Sequence, residues 1–154
     1  MTLEEYDILN CMLRSYIRAL IESENKKTSA GIVVVRNFND EFKVLCLLKQ
    51  NGNYDITKGL MELGESPLET ALRETKEEAG ISDLDFTWGY EPISYGKGIA
   101  FVAQTCQDPS ILPNPESGIL EHESFEWKNF EEAANSVIEY LVPAIQYAQI
   151  LIER

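Results

Sequence analysis

Three glutamates in the middle of the chain have a spacing that could bind a metal ion. Glu74, Glu77 and Glu78 are related as i, i+3 and i+4, which places them on one face of a helix. Carboxylate oxygens are the ligands that hard divalent cations such as Mg²⁺ and Mn²⁺ prefer. A solvated acidic helix face has the same spacing, so these three positions alone leave both interpretations open.

The helix that carries these glutamates has clear start and stop signals. Ser66 can serve as N-cap, Pro67 as first helical residue and Glu69 as the returning member of a capping box. Gly80 follows where a glycine commonly ends a helix. The residues for packing recur at helical spacing on another face: Leu68, Ala71, Leu72, Thr75 and Ala79. We therefore expect the helix to pack by one side and to present its carboxylates on another.

The preceding loop completes a longer pattern. Gly59, five residues, Glu65, seven residues and then the run RETKEEAGI from Arg73 to Ile81 together resemble the Nudix box. The resemblance implies an α/β/α sandwich with a mixed β-sheet, and hydrolysis of a nucleoside diphosphate linked to a further group. Thr75 departs from the box, which usually has an aliphatic residue there, but it lies on the packing face rather than on the metal face.

The resemblance also implies roles for individual residues. It makes Glu74, Glu77 and Glu78 ligands of Mg²⁺ or Mn²⁺, with the carbonyl of Gly59 as a backbone ligand. Glu77 and Glu78 are then catalytic as well, because metal ions neutralise charge on phosphoryl oxygens and lower the pKa of a bound water.

Four residues outside this ligand set complete the implied active site. Glu65 is expected to orient Arg73, which fixes the helix against the loop. A glutamate outside the box can assist as base or ligand, and Glu121 is the matching position, with Glu123 as the fallback. His122, the only histidine in the sequence, receives no role as base.

Parts of the chain resemble one branch of the family, the diadenosine tetraphosphate hydrolases. The similar segments are Lys58-Gly59, residues 68–75 and residues 120–127. A threonine at position 75 is found in this branch, whereas Thr57 and Leu60 stand where the branch usually has proline and histidine.

We therefore predict a metal-dependent pyrophosphohydrolase acting on a dinucleoside polyphosphate. ADP-ribose, NAD-type dinucleotides, nucleoside triphosphates and an RNA 5′ end remain alternative substrates. A non-catalytic nucleotide-binding module is a further alternative. For substrate contacts, Lys58 precedes the metal loop directly, and Tyr95 and Lys97 belong to a predicted turn where they could reach a phosphate or a base.

Composition narrows the class of partner. The chain has 154 residues and a net charge of −13, which disfavours nonspecific binding to nucleic acid and favours a small nucleotide.

We expect a single domain over residues 1–154, with residues 1–27 as an N-terminal helical extension and residues 59–81 as the box. The absence of a signal-peptide pattern and of a long apolar run predicts a cytoplasmic protein without a membrane segment. Three cysteines in apolar stretches are expected to be buried free thiols.

The remaining elements follow from periodicity. A helix is predicted over residues 2–23, with Thr2 and Glu5 as a second capping box. It could pack on the sheet, cover the cleft or form a dimer contact. We therefore expect a monomer or a homodimer. Strands are predicted at residues 30–35, 42–48, 54–56, 84–90, 98–105 and 121–127, and helices at 130–134 and up to about 153.

Overall fold

A computed structural model describes the backbone of residues 1–24 and 27–154, and the side chains of residues 1–17 and 27–154. Its elements in chain order are α1 (Leu3–Glu24), β1 (Ser29–Phe38), β2 (Glu41–Lys49), β3 (Tyr54–Asp55), β4 (Thr57–Leu60), α2 (Pro67–Ala79), β5 (Ile93–Tyr95), β6 (Gly98–Gln104), β7 (His122–Lys128), α3 (Phe130–Ser136), a 3₁₀ turn (Glu139–Leu141) and α4 (Val142–Ile152). The predicted α/β class with a mixed sheet and an N-terminal helix is confirmed. The predicted N-terminal extension over residues 1–27 includes residues 25 and 26, which lie outside the described residues.

Strand β1 is the centre of the sheet. It runs parallel to β6 along most of its length, and it pairs antiparallel with two different strands on its other side. Its first half pairs with β4, from Ser29 opposite Leu60 to Ile32 opposite Thr57, and its second half pairs with β2. Strand β2 then diverges from β1 and pairs with β3 and β7. This divergence places the short strand β4, which carries Lys58 and Gly59, beside the start of β1.

The two faces of the sheet are buried in separate cores. Along β1, Val33 and Val35 belong to the core covered by α3 and α4, whereas Ile32 and Val34 belong to the core covered by α2. Because successive side chains of a strand point to opposite faces, one apolar run supplies both cores. The result is a sheet between helices, with α2 fixed over the side where β4 lies.

The strand predicted at residues 84–90 is wrong. Asp85 bridges to Gln104, but the chain then turns at Thr87 and Trp88, and Gly89 has a φ of 94°. The apolar side chains that suggested a strand belong to different cores, since Phe86 packs on the α2 side and Trp88 on the α3/α4 side. The partner of β6 across the predicted turn is instead β5, and the turn itself lies at Gly96 and Lys97.

The expectation for the cysteines is correct for one of the three. Cys46 is buried in β2, where burial raises the pKa of its thiol to about 12. Cys11 and Cys106 are exposed. Cys11 belongs to α1, whose apolar side chains are exposed, so an apolar neighbourhood in the sequence did not guarantee burial.

Helix α1 begins with the predicted capping box, since the Glu5 amide donates to Thr2 Oγ1 at 3.1 Å and the Thr2 amide donates to Glu5 at 2.7 Å. Its apolar side chains with described positions are 46–85% exposed. Among the described residues, no helix is both apolar and long enough to span a bilayer.

Candidate metal-dependent active site

Helix α2 has the termini that the sequence predicts. Ser66 Oγ accepts a hydrogen bond from the Glu69 amide at 3.1 Å, and Glu69 accepts one from the Ser66 amide at 3.2 Å. Pro67 occupies the first turn, and Gly80 closes the helix with a φ of 67°, a left-handed conformation in which glycine has no steric cost. These local signals fix where the acidic face of α2 begins and ends.

Arg73 binds Glu65 in a two-point ion pair. Its Nε lies 2.8 Å from Glu65 Oε2, and its Nη2 lies 3.0 Å from Glu65 Oε1. The Glu62 amide and the Thr70 hydroxyl also donate to Glu65. These hydrogen bonds, with that of Arg73 the strongest, lower the pKa of Glu65 to about 2. Arg73 donates in addition to the Leu60 carbonyl at 2.9 Å, so this one side chain ties α2 to the loop that follows β4.

Arg73 also holds two of the three clustered carboxylates. Its Nη1 lies 2.9 Å from Glu74 Oε1 and 3.1 Å from Glu77 Oε2. Burial raises the pKa of Glu74, although the neighbouring Arg73 acts in the opposite direction. The guanidinium therefore orients the acidic face as well as partly neutralising it.

Gly59 lies directly against the Glu74 carboxylate. A Cβ at position 59 would overlap the carboxylate carbon and both of its oxygens, so any side chain there would displace Glu74. This close approach explains why the first position of the box needs a residue without a side chain. It brings the backbone of β4 to the acidic face, as the predicted carbonyl ligand requires.

Glu78 is the most buried of the three carboxylates, with 7% of its surface exposed. Its Oε1 accepts a hydrogen bond from the Lys58 amide at 2.8 Å. Burial, with further contributions from the negative charges of Glu74, Asp55 and Glu121, raises its pKa to about 9. A carboxylate with a pKa this high needs a nearby cation to remain ionised at neutral pH.

Glu121 lies with Glu74 and Glu77 at a cavity of about 350 Å³. It is held by Asn114, whose Nδ2 donates to Glu121 Oε1 at 3.2 Å, and Asn114 and Pro115 also line this cavity. The loop between β6 and β7 therefore covers part of the site. Glu121 lines the cavity and the fallback Glu123 does not.

Two residues of the site, His122 and Asp55, received no role from the sequence. His122 is 3% exposed, with Nδ1 at 3.3 Å from Glu78 Oε2 and Nε2 at 3.9 Å from Asp55 Oδ2. Asp55 is 2% exposed and forms an ion pair of 3.2 Å with Lys58. Burial works against the ionised form of Asp55, but its contacts with His122 and Lys58 lower its pKa overall.

Two departures from the family pattern contact each other. Thr57, where the resembling branch usually has proline, and Thr75, where the box usually has an aliphatic residue, lie 2.8 Å apart between their hydroxyl oxygens. Both are buried, and they also bond to the carbonyls of Ile32 and Ala71 respectively. Because each hydroxyl has one proton, one hydroxyl donates to the other, and the second donates to its backbone carbonyl between β4 and α2.

The predicted substrate residues line a second cavity of about 330 Å³. Tyr95 is 3% exposed, so it points inward from the end of β5 instead of outward from a turn, and its hydroxyl bonds to Ser29 at 3.1 Å. Its ring stacks on Tyr140 with 6.1 Å between centroids, and the Lys58 ammonium lies 5.9 Å from the Tyr140 ring. Lys97 is exposed at the rim. Tyr140 belongs to the 3₁₀ turn, and no sequence signal marked it.

Lys58 joins the two cavities, since it lines both of them. Burial works to lower the pKa of Lys58, but the Asp55 carboxylate raises it overall, so the side chain is cationic at neutral pH. A third cavity of about 510 Å³ lies at the far end of the hairpin between β1 and β2. It contains the carboxylates of Glu41, Glu131 and Glu153, which would repel an anionic nucleotide.

The donor set fits a divalent cation. Glu74, Glu77, Glu78 and Glu121 line one small pocket together, and the Gly59 backbone lies against the Glu74 carboxylate. Such oxygen-rich sites suit Mg²⁺ or Mn²⁺, and a bound cation would relieve the cost of burying ionised Glu78. The predicted metal residues therefore lie together in space, and Glu121 joins them from a distant part of the sequence.

Comparisons with known proteins show similarity of sequence and of fold. A curated relative, an octanoyltransferase of Myxococcus xanthus, is 25% identical over 135 residues. The match covers 80% of this chain and 36% of that protein, so this chain spans about a third of the relative's length. Among solved structures, the Caenorhabditis elegans Ap4A hydrolase in a binary complex has a TM-score of 0.68 at 21% identity, covering 81% of this chain and 98% of that one. The Nudix domain of Shewanella oneidensis NrtR, complexed with ADP ribose, has a TM-score of 0.57 at 14% identity, covering 82% and 88%.

The family assignment rests on the sequence. The family model of the NUDIX domain matches residues 25–145, which include the box, both strands of the first hairpin and Glu121. The match covers most of the chain and leaves α1 outside it. This chain therefore belongs to the Nudix family of hydrolases.

Proposed function

We propose that this protein is a metal-dependent pyrophosphohydrolase that cleaves a dinucleoside polyphosphate such as diadenosine tetraphosphate. The observation that carries the proposal is the junction of two cavities at Lys58, one lined by carboxylates and the other by two stacked tyrosines. A polyphosphate chain and an attached base need adjoining sites of these two kinds. The similarity to the Ap4A hydrolase fold supports the choice of substrate.

Each group has a task in this proposal. Tyr140, which is 43% exposed and stacks on the buried Tyr95, offers an aromatic surface for a base, and Lys97 at the rim and Lys58 at the junction offer positive charge to phosphates. Arg73 and Glu65 act as positioning residues, since they hold Glu74 and Glu77 in place.

The metal site supplies the chemistry. Mg²⁺ or Mn²⁺ held by Glu74, Glu77, Glu78 and the Gly59 carbonyl would neutralise developing phosphoryl charge and activate water. Glu121, which has a ligand atom within 4.8 Å of one of Glu78, would orient that water or add a ligand. All box carboxylates are retained, which favours an enzyme over a module that only binds nucleotide.

The remaining expectations stay predictions: a single domain, a cytoplasmic location, and a monomer or homodimer. ADP-ribose, NAD-type dinucleotides, nucleoside triphosphates and an RNA 5′ end are the substrates that the test must separate from a dinucleoside polyphosphate. The net charge of −13 makes RNA the least compatible of them.

Product analysis by chromatography with Mg²⁺ tests the proposal on this panel of substrates. We expect ATP and AMP from diadenosine tetraphosphate, and a loss of about 100-fold or more in kcat/KM for Glu78→Gln, comparable to removing one strong transition-state contact. Glu121→Gln and Glu123→Gln form a matched pair, because only Glu121 lines the cavity. Turnover of another panel member alone would mean that this other compound is the substrate. Full activity of Glu78→Gln would refute the assignment of Glu78 to the active site.

A further inference from the structure

His122 lies in a buried position beside the carboxylates of α2. It lines a small pocket with Glu78 and Glu121, and one potential ligand atom from each of these three residues lies within 4.8 Å of the other two. The imidazole Nδ1 is 3.3 Å from Glu78 Oε2. A nitrogen donor therefore lies among oxygen donors at the place where the metal site is proposed.

The other imidazole nitrogen is turned toward a second carboxylate. Nε2 is buried and has no hydrogen-bond partner within the described part of the chain, and it lies 3.9 Å from Asp55 Oδ2. Metal-binding histidines almost always direct their second nitrogen to a carboxylate, a carbonyl or water, which fixes the tautomer that leaves the first nitrogen free to bind. Asp55 can fulfil this role because Lys58, at 3.2 Å, and Lys49, at 3.9 Å, hold it in place.

A metal ion or a proton must lie between Nδ1 and Glu78. With its proton on Nε2, the imidazole presents a lone pair to the carboxyl group at 3.3 Å, and two acceptors at this distance repel unless a metal ion binds both or a proton on Glu78 bridges them. In the proton-bridged alternatives, with the proton on Glu78 or on Nδ1, His122 would be a positioning residue for Glu78 and no ligand.

We propose that His122 Nδ1 is a metal ligand together with Glu78 and Glu121, and that the site therefore selects a first-row transition-metal ion over Mg²⁺. Mg²⁺ favours an all-oxygen shell, whereas imidazole suits transition metals. The inference rests on the proposed metal-dependent hydrolase and adds a nitrogen to its ligand set, with Asp55 as the residue that positions this nitrogen.

Pulsed EPR of the full chain loaded with Mn²⁺ tests this ligand directly. His122 is the only histidine in the sequence, so in protein without a histidine tag an imidazole ¹⁴N modulation on Mn²⁺ has one source. We expect this modulation in the wild-type protein and its loss in His122→Gln. Its absence from wild-type protein with bound Mn²⁺ would overturn the proposal without any need for a variant.

Metal titrations by calorimetry supply the second readout. We expect His122→Gln to weaken Mn²⁺ binding by more than about tenfold while Mg²⁺ binding stays within about twofold. We expect Asp55→Asn to weaken Mn²⁺ binding less, by about tenfold, which is the lower end of what loss of a supporting carboxylate costs. Equal weakening of both ions would show a positioning role and contradict the inference. Thermal unfolding of each metal-free variant provides the fold control.

The two proposals can fail separately. Mn²⁺ binding and dinucleotide hydrolysis without an imidazole signal would overturn the nitrogen ligand and leave the proposed function standing. An imidazole signal with no turnover of any nucleotide in the panel would support the ligand set and overturn the enzymatic proposal.

Discussion

Helices α1 and α2 begin in the same way and end in different surroundings. Each has a capping box, Thr2 with Glu5 in α1 and Ser66 with Glu69 in α2, and all four reciprocal hydrogen bonds are between 2.7 and 3.2 Å. Each has apolar residues at helical spacing. Local sequence signals of equal quality therefore predicted both helices.

Burial separates the two helices. In α2, Ala71 and Ala79 are fully buried against the sheet, whereas in α1 Leu13 is 53% and Tyr16 is 63% exposed. Helix α2 is also fixed by polar contacts with β4 and its following loop, through Thr75 to Thr57 and through Arg73 to the Leu60 carbonyl. Periodicity thus predicts that an apolar face exists, while the rest of the chain determines what covers it. The packing, cleft and dimer roles considered for α1 stay predictions.

A charged residue introduced on the apolar face of each helix should produce the largest difference in stability between the α1 and α2 variants. Ala71→Glu forces a carboxylate into a fully buried position, and we expect a loss of about 3 kcal/mol or more in the free energy of unfolding. Leu13→Glu changes a half-exposed side chain, and we expect a change within about 0.5 kcal/mol. Urea denaturation followed by circular dichroism measures both.

A large loss in Leu13→Glu would break the comparison. It would mean that the face of α1 is covered in solution, because only a buried position makes a new charge expensive. Sedimentation at several protein concentrations would then distinguish a second copy from the protein's own sheet. Thermal unfolding that depends on concentration would identify the dimer.

Glu78, the buried carboxyl group of α2, should make stability depend on pH, with a smaller effect than a charge in the core. The pKa of Glu78 is raised to about 9, so the folded metal-free protein keeps a proton that the unfolded chain loses near the ordinary value of 4.5. Stability then falls as pH rises between these two values, since the unfolded state releases its proton first. Glu78→Gln has no proton to lose and keeps an acceptor for the Lys58 amide.

We therefore expect Glu78→Gln to gain stability relative to wild-type protein from pH 5 to pH 8. In the presence of a chelator, the difference in Tm should rise by about 3 °C or more over this interval. Glu123→Gln, at an exposed position near the site, is the control and should follow the wild-type curve. Parallel curves for Glu78→Gln and wild-type protein would show that Glu78 is already ionised without metal.

Spacing predicted the parts of the site that have local signals, whereas Glu121 was predicted by the family resemblance. The capping residues, the i, i+3, i+4 carboxylates and the glycine at position 80 lie within one short segment, so spacing alone determines their relation. Asp55 and His122 meet only because β3 and β7 both pair with β2, and Tyr140 reaches Tyr95 through the turn before α4. Such contacts depend on tertiary structure, and no periodicity encodes them.

The errors have the same origin. Residues 84–90 have the composition of a strand, yet their aromatic side chains fill two different cores and the chain turns between them. Thr57 and Thr75 each depart from the family pattern when read alone, but as a hydrogen-bonded pair they are consistent with each other. Single positions could be compared with a pattern, whereas their pairing required the fold.

Removal of the two N-caps should change the free energy of unfolding least. It tests whether two capping boxes with the same hydrogen bonds contribute equally to global stability. Ser66→Ala should cost about 1 kcal/mol in the free energy of unfolding, and Ser66→Gly only a few tenths. Thr2→Ala should cost nothing measurable in the global transition, because the exposed first turn of α1 can fray without exposing the core. Urea denaturation of all three variants, read by tryptophan fluorescence, measures the difference. Equal costs for Thr2→Ala and Ser66→Ala would mean that α1 unfolds together with the sheet, and therefore that its apolar face packs against the folded domain or a second copy of it.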